Sequence, residues 1–241
     1  MTHNYVKRIK QIIKGKSNLF RNNKFIISNK NNTQFNKRNF WRTQIKIDGN
    51  NNSIIIEDTS RLSNCEISLG KNCFNTIKVA EGCQLKNVCF IILGDYNTII
   101  IDKKCILHDT TFWIEDRYGS IRIGAKTTIH GKTQLAVMEE TAITIGEDCM
   151  FSSDIFFRTG DSHSIVDNKG NRINASESIR IGNHCWIGTK VICLKGTLVG
   201  DNCVVGAGSI LSGYYDESNC ILAGVPARVK KKNINWLRER I

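Results

Sequence analysis

The stretch IRIGNHCWIGTKVICLKGTLVGDNCVVGAGSIL, residues 179–211, decides the fold of this chain. Aliphatic residues or cysteine recur in it every six residues, at Ile181, Ile187, Cys193, Val199, Val205 and Leu211. A period of six fits neither an α-helix, with about 3.6 residues per turn, nor simple strand alternation. It fits a triangular coil of three short strands, whose interior the recurring residue fills and whose corners hold small residues, Gly or Asn.

Weaker copies of this pattern extend the repeat towards the N-terminus. The pattern is a short segment in which two apolar residues are separated by one residue of any type and are followed by polar and small residues. Such segments begin at Ile54, Ile77, Ile99, Ile121, Ile143 and Ile179. Their starts are 23, 22, 22, 22 and 36 residues apart. Since three sixes make one coil, a step of 22 predicts a coil with a small loop, and the step of 36 predicts two coils. We therefore expect an all-β parallel β-helix over residues 45–225.

The segments outside the repeat predict a three-part chain. Residues 1–44 hold a basic amphipathic pattern, predicting a short helix over 3–16, and an Asn- and Lys-rich irregular lead-in. The helix is expected to cap the first coil or, alternatively, to touch an anionic membrane surface. Within the β-helix, a loop at 158–178 interrupts the sixes. The tail, 226–241, predicts a second short helix packed outside the coils.

Composition narrows the class of protein. The chain has 241 residues, 41% of them hydrophobic and 23% charged, which is typical of a globular protein. No apolar run reaches about 18 residues, so no transmembrane segment is predicted, and the N-terminus lacks the features of a secretory signal. Ten cysteines without a C-x-x-C pair predict a reducing compartment and a cytoplasmic protein. Six of them occupy the same small-residue slot after an aliphatic position, which predicts core filler: Cys73, Cys83, Cys105, Cys149, Cys185 and Cys203. The net charge of +12 fits an anionic glycan or a phosphorylated cofactor, or a Lys-rich composition alone; no motif for nucleic acid accompanies it.

Three phrases carry a resemblance to a known family: GDSHSI (160–165), the sixes with HCWIG (184–188) and AGVPARVKKK (223–232). With them the chain resembles the hexapeptide-repeat acyltransferases, especially bacterial sugar O-acetyltransferases of capsule and lipopolysaccharide pathways. The resemblance implies a left-handed β-helix, a homotrimer with active sites between subunits, and transfer of an acetyl group from acetyl-CoA to a sugar hydroxyl. It is specific over about 161–228, whereas the first 120 residues share only the coil pattern.

Transfer of an acyl group from a thioester to a hydroxyl needs a base, a donor for the oxyanion and alignment of both substrates. His163 is the predicted base, because it lies in the loop and an imidazole accepts a proton near neutral pH. Asp161, two residues earlier, is a candidate to orient the ring. The resemblance implies that Trp186 forms the cleft near the thioester with its indole N–H as a donor; packing at a trimer interface is the alternative.

The resemblance also implies a path for the coenzyme. Its pantetheine arm is expected along backbone amides and its phosphates near cations, at Thr189, Gly206, Ala207, Ser212, Pro226, Arg228 and Lys231. Pro226 is expected to fix the turn that returns the chain over the coils. The family often has Lys after the residue matching Ser212, whereas this chain has Gly213, so one phosphate contact is missing. Lys230 and Lys232 are candidates to replace it.

Two further histidines, His108 and His130, are expected to stack in adjacent coils. The next coil holds Ser152 at that place, and no close histidine pair is present, so we predict no metal site. Two other functions stay open. One is an N-acyltransferase for a nucleotide-linked amino sugar, although no glycine-rich turn precedes residue 45. The other is a non-catalytic β-helix scaffold, which has no need of the His-bearing loop.

Overall fold

Three faces build the structure, and every coil crosses them in the same order. The computed structural model describes residues 21–241; between Asn22 and Ile241 it has no α-helix, only a 3₁₀ turn at Lys37–Asn39. Strands of successive coils pair in parallel. We name the faces A, B and C in the order in which the chain crosses them, and the corners between them the A–B, B–C and C–A edges. The fold is therefore an all-β parallel β-solenoid.

The strands are numbered in chain order. Face A contains β3 (Phe40–Trp41), β6 (Arg61–Ser63), β9 (Gln84–Lys86), the first parts of β12 (Ile106–Ile114) and β14 (Thr128–Val137), β16 (Met150–Phe151), β19 (Trp186–Ile187), β22 (Val204–Val205) and β25 (Cys220–Gly224). Face B contains β1 (Lys24–Ile27), β4 (Gln44–Ile47), β7 (Glu66–Gly70), β10 (Cys89–Ile92), the second parts of β12 and β14, β17 (Ile155–Arg158), β20 (Ile192–Leu194) and β23 (Ile210–Leu211). Face C contains β2 (Asn32–Gln34), β5 (Ser53–Ile56), β8 (Thr76–Val79), β11 (Thr98–Ile101), β13 (Ser120–Ile123), β15 (Ala142–Ile145), β18 (Ile179–Ile181), β21 (Leu198–Val199) and β24 (Tyr214–Tyr215). The last strand, β26 (Ala227–Lys232), pairs antiparallel with β25.

Inward side chains align from coil to coil and form one core. On face B the aligned, fully buried residues are Phe90, Phe112, Leu135, Phe157 and Cys193. Each buried aliphatic or aromatic side chain contributes about 1.5–3 kcal/mol relative to its exposed state. The six-residue series from Ile181 to Leu211 is buried at every position, which confirms its predicted place in the interior.

Cysteines line the C–A edge from the inside. Cys83, Cys105, Cys149, Cys185 and Cys203 are fully buried there as free thiols. Each thiol contacts a carbonyl oxygen one coil away; Cys105 Sγ, for example, donates to the oxygen of Gly124 at 3.1 Å. The prediction of core filler is confirmed for these five. Cys73 was predicted in the same slot, which is wrong: it lies half-buried at the B–C edge.

The step of 36 residues in the repeat is one coil, and the prediction of two coils is wrong. Ile143 of β15 pairs directly with Ile179 of β18, so no second coil lies between them. The additional residues leave the solenoid as one loop, 159–178, at the B–C edge. The reason is that this segment lacks the aliphatic residue every six positions that a buried coil needs.

The first coil lies earlier than the aliphatic pattern predicted. Strand β1 begins at Lys24 and pairs with β4, inside the segment expected to be irregular. Aromatic rings fill the interior here: Phe25, Phe35 and Phe40 lie 5.3–6.1 Å apart between ring centroids. A search for aliphatic repeats therefore passes over this coil. The helix predicted for 3–16 lies outside the described residues.

The predicted C-terminal helix is wrong. Residues Ala227–Lys232 form β26, and the following residues contain no helix. The tail is held by its side chains instead: Trp236 is buried, and Arg238 bonds to Asp148, Thr128 and Cys149. Backbone helical bonds are not needed where side chains anchor so short a segment.

Candidate active site

The loop 159–178 carries His163 away from the B–C edge. Residues 161–166 are exposed, His163 among them. An antiparallel bridge between Val166 and Arg172 shapes the loop into a small hairpin, and the Ile173 amide donates to the Ile165 oxygen at 2.9 Å. The imidazole is therefore presented to solvent on an ordered segment.

A buried asparagine holds the part of the loop that contains His163. The side-chain amide of Asn174 donates to the Asp161 carboxylate at 2.9 Å and to the His163 carbonyl oxygen at 2.8 Å. Its oxygen accepts from the Ile165 amide at 2.7 Å. Asn174 is only 7% exposed, so these bonds are shielded from water. One side chain thereby fixes the backbone on both sides of His163.

Two further contacts tie the loop to the neighbouring coils. Arg172 forms a bidentate pair with Glu139, which also accepts a hydrogen bond from the Ser176 hydroxyl at 2.7 Å. These bonds from Arg172 and Ser176 lower the pKa of Glu139 to about 2. Next to His163, the Ser162 hydroxyl accepts from Arg158 at 2.5 Å and donates to Glu115 at 3.1 Å.

Asp161 does not contact the imidazole through any hydrogen bond within residues 21–241. Its carboxylate accepts from Lys195 Nζ at 2.5 Å and from Asn174, and both bonds, that of Lys195 first, lower its pKa. The predicted orientation of the His163 ring by Asp161 is therefore not what the structure shows. The carboxylate instead joins the loop to the next coil.

A groove of about 360 Å³ lies beside this ion pair on the B–C edge. Its lining includes Arg158, Asp161, Lys195, Ser212 and Tyr214. Ser212, one of the predicted coenzyme contacts, thus lies on the same edge as Asp161. The groove combines two cations and the carboxylates of Asp161 and Glu177 with a hydroxyl and an aromatic ring, a composition suited to a polar ligand.

Trp186 lies at the C–A edge, away from the loop. It is the first residue of β19 and is 38% exposed. Its ring packs against that of Trp236 in the tail, with the two ring centroids 6.1 Å apart. Trp236 stacks on His184 at 4.3 Å and donates its indole N–H to the His184 oxygen at 2.7 Å. His184 also bonds to Asp148 through Nδ1 at 2.8 Å. The tail therefore forms one wall of the surface around Trp186.

The other predicted coenzyme contacts gather at the A–B edge and in the final hairpin. The Gly208 amide donates to the Thr189 oxygen at 2.8 Å, so Thr189, Gly206 and Ala207 belong to adjacent coils of this edge. Pro226 lies in the exposed turn between β25 and β26, as predicted, after a cis peptide bond. The hairpin also carries Arg228, Lys230 and Lys231, all exposed, whereas Lys232 is paired with Glu217 at 2.9 Å.

The structure therefore distributes the predicted site residues over three edges of one chain. His163, Asp161 and Ser212 lie at B–C, Trp186 lies at C–A, and the amides of Thr189 and Ala207 lie at A–B. Sequence reasoning missed the residues that hold the loop: Asn174, Arg172, Glu139, Glu115 and Lys195. Of these residues, only Lys195 could have been suggested by the sequence, because it follows Asp161 by 34 positions, close to the 36-residue step of the repeat.

His108 and His130 do lie together in adjacent coils, as their spacing predicted, with ring centroids 5.6 Å apart and ring planes at 84°, so the rings meet edge to face. Burial, His108 and Arg238 together lower the pKa of His130. Over the described residues no group of three or more His, Cys, Asp or Glu is arranged to hold a metal ion. In the same part of the chain, no helix has the length and apolarity to cross a membrane.

Comparison with known proteins agrees with this architecture. Residues 178–212 match a family model described as the hexapeptide repeat of succinyl-transferase. The chain is 34% identical over 103 residues to the polysialic acid O-acetyltransferase of Escherichia coli O1:K1, which covers 42% of this chain and 33% of the relative. Across the first three curated relatives, the match spans 33%, 50% and 51% of their own length.

Two solved structures match almost the whole chain. The polysialic acid O-acetyltransferase OatWY is 31% identical, with 91% of this chain and 90% of that one covered and a TM-score of 0.57. The polysialic-acid-specific acetyltransferase NeuO is 28% identical, with 90% and 85% covered and a TM-score of 0.60. With a shared fold, a shared repeat and this identity over nearly the full length, the chain belongs to the hexapeptide-repeat acyltransferase family.

Proposed function

We propose that the protein is an acetyl-CoA-dependent O-acetyltransferase that acetylates a sugar hydroxyl of a surface glycan, such as a capsule, a lipopolysaccharide or a precursor of either. The observation that carries the proposal is the hairpin loop at the B–C edge, where Asn174 holds the backbone around an exposed His163. A scaffold needs no such loop. The similarity to polysialic acid O-acetyltransferases supports the same chemistry.

The proposed reaction is a direct transfer of the acetyl group from coenzyme A to the sugar hydroxyl, in which a tetrahedral intermediate forms and then collapses. His163 accepts the proton of the sugar hydroxyl while the hydroxyl oxygen attacks the thioester carbonyl. The negative charge on the carbonyl oxygen is stabilised by hydrogen-bond donors, for which the Trp186 indole N–H is our candidate. The intermediate collapses, the carbon–sulfur bond breaks, and the imidazolium returns its proton to the coenzyme A thiolate. The products are an acetyl ester and free coenzyme A.

The role of Asp161 in this proposal is to position the loop. Its carboxylate accepts hydrogen bonds from Asn174 and from Lys195, so it fixes the distance between residues 161–165 and the next coil. Because a displacement of about 1 Å at a catalytic group costs about a hundredfold in rate, this anchoring matters even without contact to the ring.

The coenzyme is proposed to run along the A–B edge towards the final hairpin. Thr189, Gly206 and Ala207 would meet the pantetheine arm, and Arg228 and Lys231 would meet the phosphates beyond Pro226. Ser212, at the B–C edge, would contact the coenzyme only from a different copy of the chain. Adjacent coils pack closely at this edge because residue 188 is glycine: a Cβ there would lie 2.7 Å from the Ala207 nitrogen.

The same separation supports a homotrimer as our proposal for the assembly; left-handed coils and a cytoplasmic location are proposed from the family resemblance alone. His163 lies on the B–C edge, whereas Trp186 and the proposed coenzyme contacts flank face A, so a complete site needs the B–C edge of one copy beside face A of the next. A rotation of three copies about a common axis would repeat this junction and close the ring.

Release of coenzyme A thiol tests the function. The purified protein receives acetyl-CoA with a panel of sugars, nucleotide sugars and polysaccharides, and His163→Ala is compared with His108→Ala, which removes a histidine outside the loop. We expect acceptor-dependent release that falls by about 10²–10⁴-fold in His163→Ala and is unchanged in His108→Ala.

Other outcomes decide among the alternatives. Release only with nucleotide-linked amino sugars would favour N-acylation. Release that survives His163→Ala would remove His163 as the base. No release, together with no binding of acetyl-CoA by calorimetry, would favour the scaffold.

A further inference from the structure

Three exposed aromatic side chains form a ladder on the B–C edge. Phe74, Tyr96 and Tyr118 occupy the same corner position in successive coils, each two residues before a face C strand. The ring centroids of Phe74 and Tyr96 are 4.8 Å apart, with 1° between the ring planes. Those of Tyr96 and Tyr118 are 5.1 Å apart, with 15° between the planes. We call these three residues the aromatic ladder.

The corner itself does not require aromatic residues. All three have a left-handed φ, between 57° and 59°, which bulky residues rarely adopt. The preceding coil has Asn51 at this position and the following coil has Glu140, with nearly the same φ. Polar residues therefore serve the turn equally well. Yet the ladder exposes 46%, 45% and 52% of its three side chains to water.

The exposed part of the ladder has the chemistry of a sugar-binding surface. Stacking buries the ring faces that meet each other, and about half of each residue stays exposed; no aromatic ring follows Tyr118, because the next coil has Glu140 at this position. Exposed Asp116 and Arg117 lie directly before Tyr118. Sugar rings present apolar C–H faces and hydroxyls together, and they suit such a mixture of aromatic and hydrogen-bonding groups.

The ladder ends beside the loop. Glu115, at the start of the corner that holds Tyr118, accepts a hydrogen bond from Ser162, the residue before His163. Glu139, next to Glu140 in the following coil, holds Arg172 of the loop. Since coils rise by about 4.8 Å each, Phe74 lies about 19 Å along the solenoid axis from the coil of the loop. The ladder itself covers two of these four steps, about 10 Å, so it can contact more than one unit of a sugar chain that continues to the loop.

We propose that the aromatic ladder binds successive units of the acceptor chain, so that the substrate is an oligo- or polysaccharide lying along the B–C edge with its acetylated unit at the loop. The inference rests on the proposed O-acetyltransferase activity. Charges of both signs flank the ladder, including Lys71, Asp95 and Arg117, so recognition is through ring contacts and hydroxyls rather than through a polyanionic backbone alone.

Kinetics with long and short acceptors test the ladder. The probes are purified capsular and O-antigen polysaccharides and the mono- and disaccharides released from them. For Tyr118→Ala and Tyr96→Ala we expect KM for the polysaccharide to rise about three- to tenfold, with kcat and the KM of short acceptors unchanged. Tyr118→Phe, which keeps the stack, should have a smaller effect. The control is Trp41→Ala, which removes an equally exposed aromatic ring from face A.

A second measurement keeps the ladder and the activity distinguishable. Affinity electrophoresis in gels containing each polysaccharide measures binding without turnover, and retardation of the wild type should be lost in Tyr118→Ala. Binding through Tyr118 without any transfer would overturn the activity and not the ladder. Equal losses on long and short acceptors, unchanged KM for the polymer, or no retardation of the wild type would overturn the ladder. A change of oligomeric state in Tyr118→Ala, seen by light scattering, would overturn it too, because a second copy would then cover the rings.

Discussion

The coils before and after the loop differ mainly at one edge. Before the loop, Ile101, the last buried residue of a face C strand, follows the buried Phe90 of face B by eleven positions. After the loop, the equivalent residue Val199 follows Cys193 by only six positions. From face C to face A the chain takes six residues in both regions, between Ile101 and Leu107 and between Val199 and Val205. In the coil between the two regions, 24 residues separate Phe157 from Ile181 across the B–C edge.

The difference shows that additional chain is tolerated where it leaves the solenoid. The interior of every coil must fill the same cross-section, because close packing transmits any change of volume to the next coil. A corner that faces solvent has no such constraint. The B–C edge has collected the aromatic ladder, the anchoring carboxylates and the His163 loop, while the other two edges stay short.

The largest expected effect comes from removing side chains from the core. We expect the free energy of unfolding to fall in both regions, by different amounts. Phe112→Ala and Cys193→Ala change the same column of face B. We expect Phe112→Ala to lower the free energy of unfolding by about 3–5 kcal/mol, because a large cavity remains, and Cys193→Ala by about 1 kcal/mol. Urea unfolding followed by circular dichroism measures both. Equal losses would mean that the two regions are not packed as one core.

The tail should matter next. Trp236→Ala removes a buried ring and its bond to the His184 oxygen, so we expect a loss of about 3 kcal/mol and a higher KM for acetyl-CoA through disorder around Trp186. Leu237→Ala, 53% exposed, is the matched control. An unchanged KM with the full loss of stability would make the tail purely structural.

Releasing the loop should separate activity from stability. Asn174→Ala removes the bonds to Asp161 and the His163 oxygen, and we expect kcat to fall about a hundredfold while unfolding changes by only about 1–3 kcal/mol. Asn168→Ala, at the exposed tip of the hairpin, should leave both unchanged. Transfer at the wild-type rate in Asn174→Ala would show that the loop does not position the base.

The smallest effect is the pH dependence of the Glu139–Arg172 contact. Because the pKa of Glu139 is lowered in the fold from 4.5 to about 2, its contribution to stability is complete above about 4.5 and is lost as the pH falls towards 2. Thermal unfolding of wild type and Glu139→Gln between pH 7 and pH 3 should therefore converge on acidification. Curves that stay parallel would contradict the lowered pKa.

Much of the fold could be predicted because the core repeats. The six-residue series, the buried cysteine column and the pairing of His108 with His130 in adjacent coils each follow from spacing alone. The first coil was missed because its interior is aromatic, and the C-terminal helix was wrong because Trp236 and Arg238 anchor the tail through side chains that no local pattern reveals. At the candidate site, His163 was proposed from its place in the loop and Trp186 from resemblance, whereas Asn174 acts through contacts within the folded loop and Glu139 through contacts from another coil.

By itself, the sequence determined the solenoid, its interior and the point where the loop interrupts it, because a periodic core imposes a periodic sequence. Only the tertiary structure decided which edge each residue occupies: it placed His163 and Trp186 on different edges, directed Asp161 to Lys195 and aligned Phe74, Tyr96 and Tyr118 beneath the loop. An edge constrains its exposed side chains only weakly, since a corner exposed to water accepts many residues and many lengths. Several contacts there join residues 22 to 90 positions apart, and only the stacking of coils brings these together.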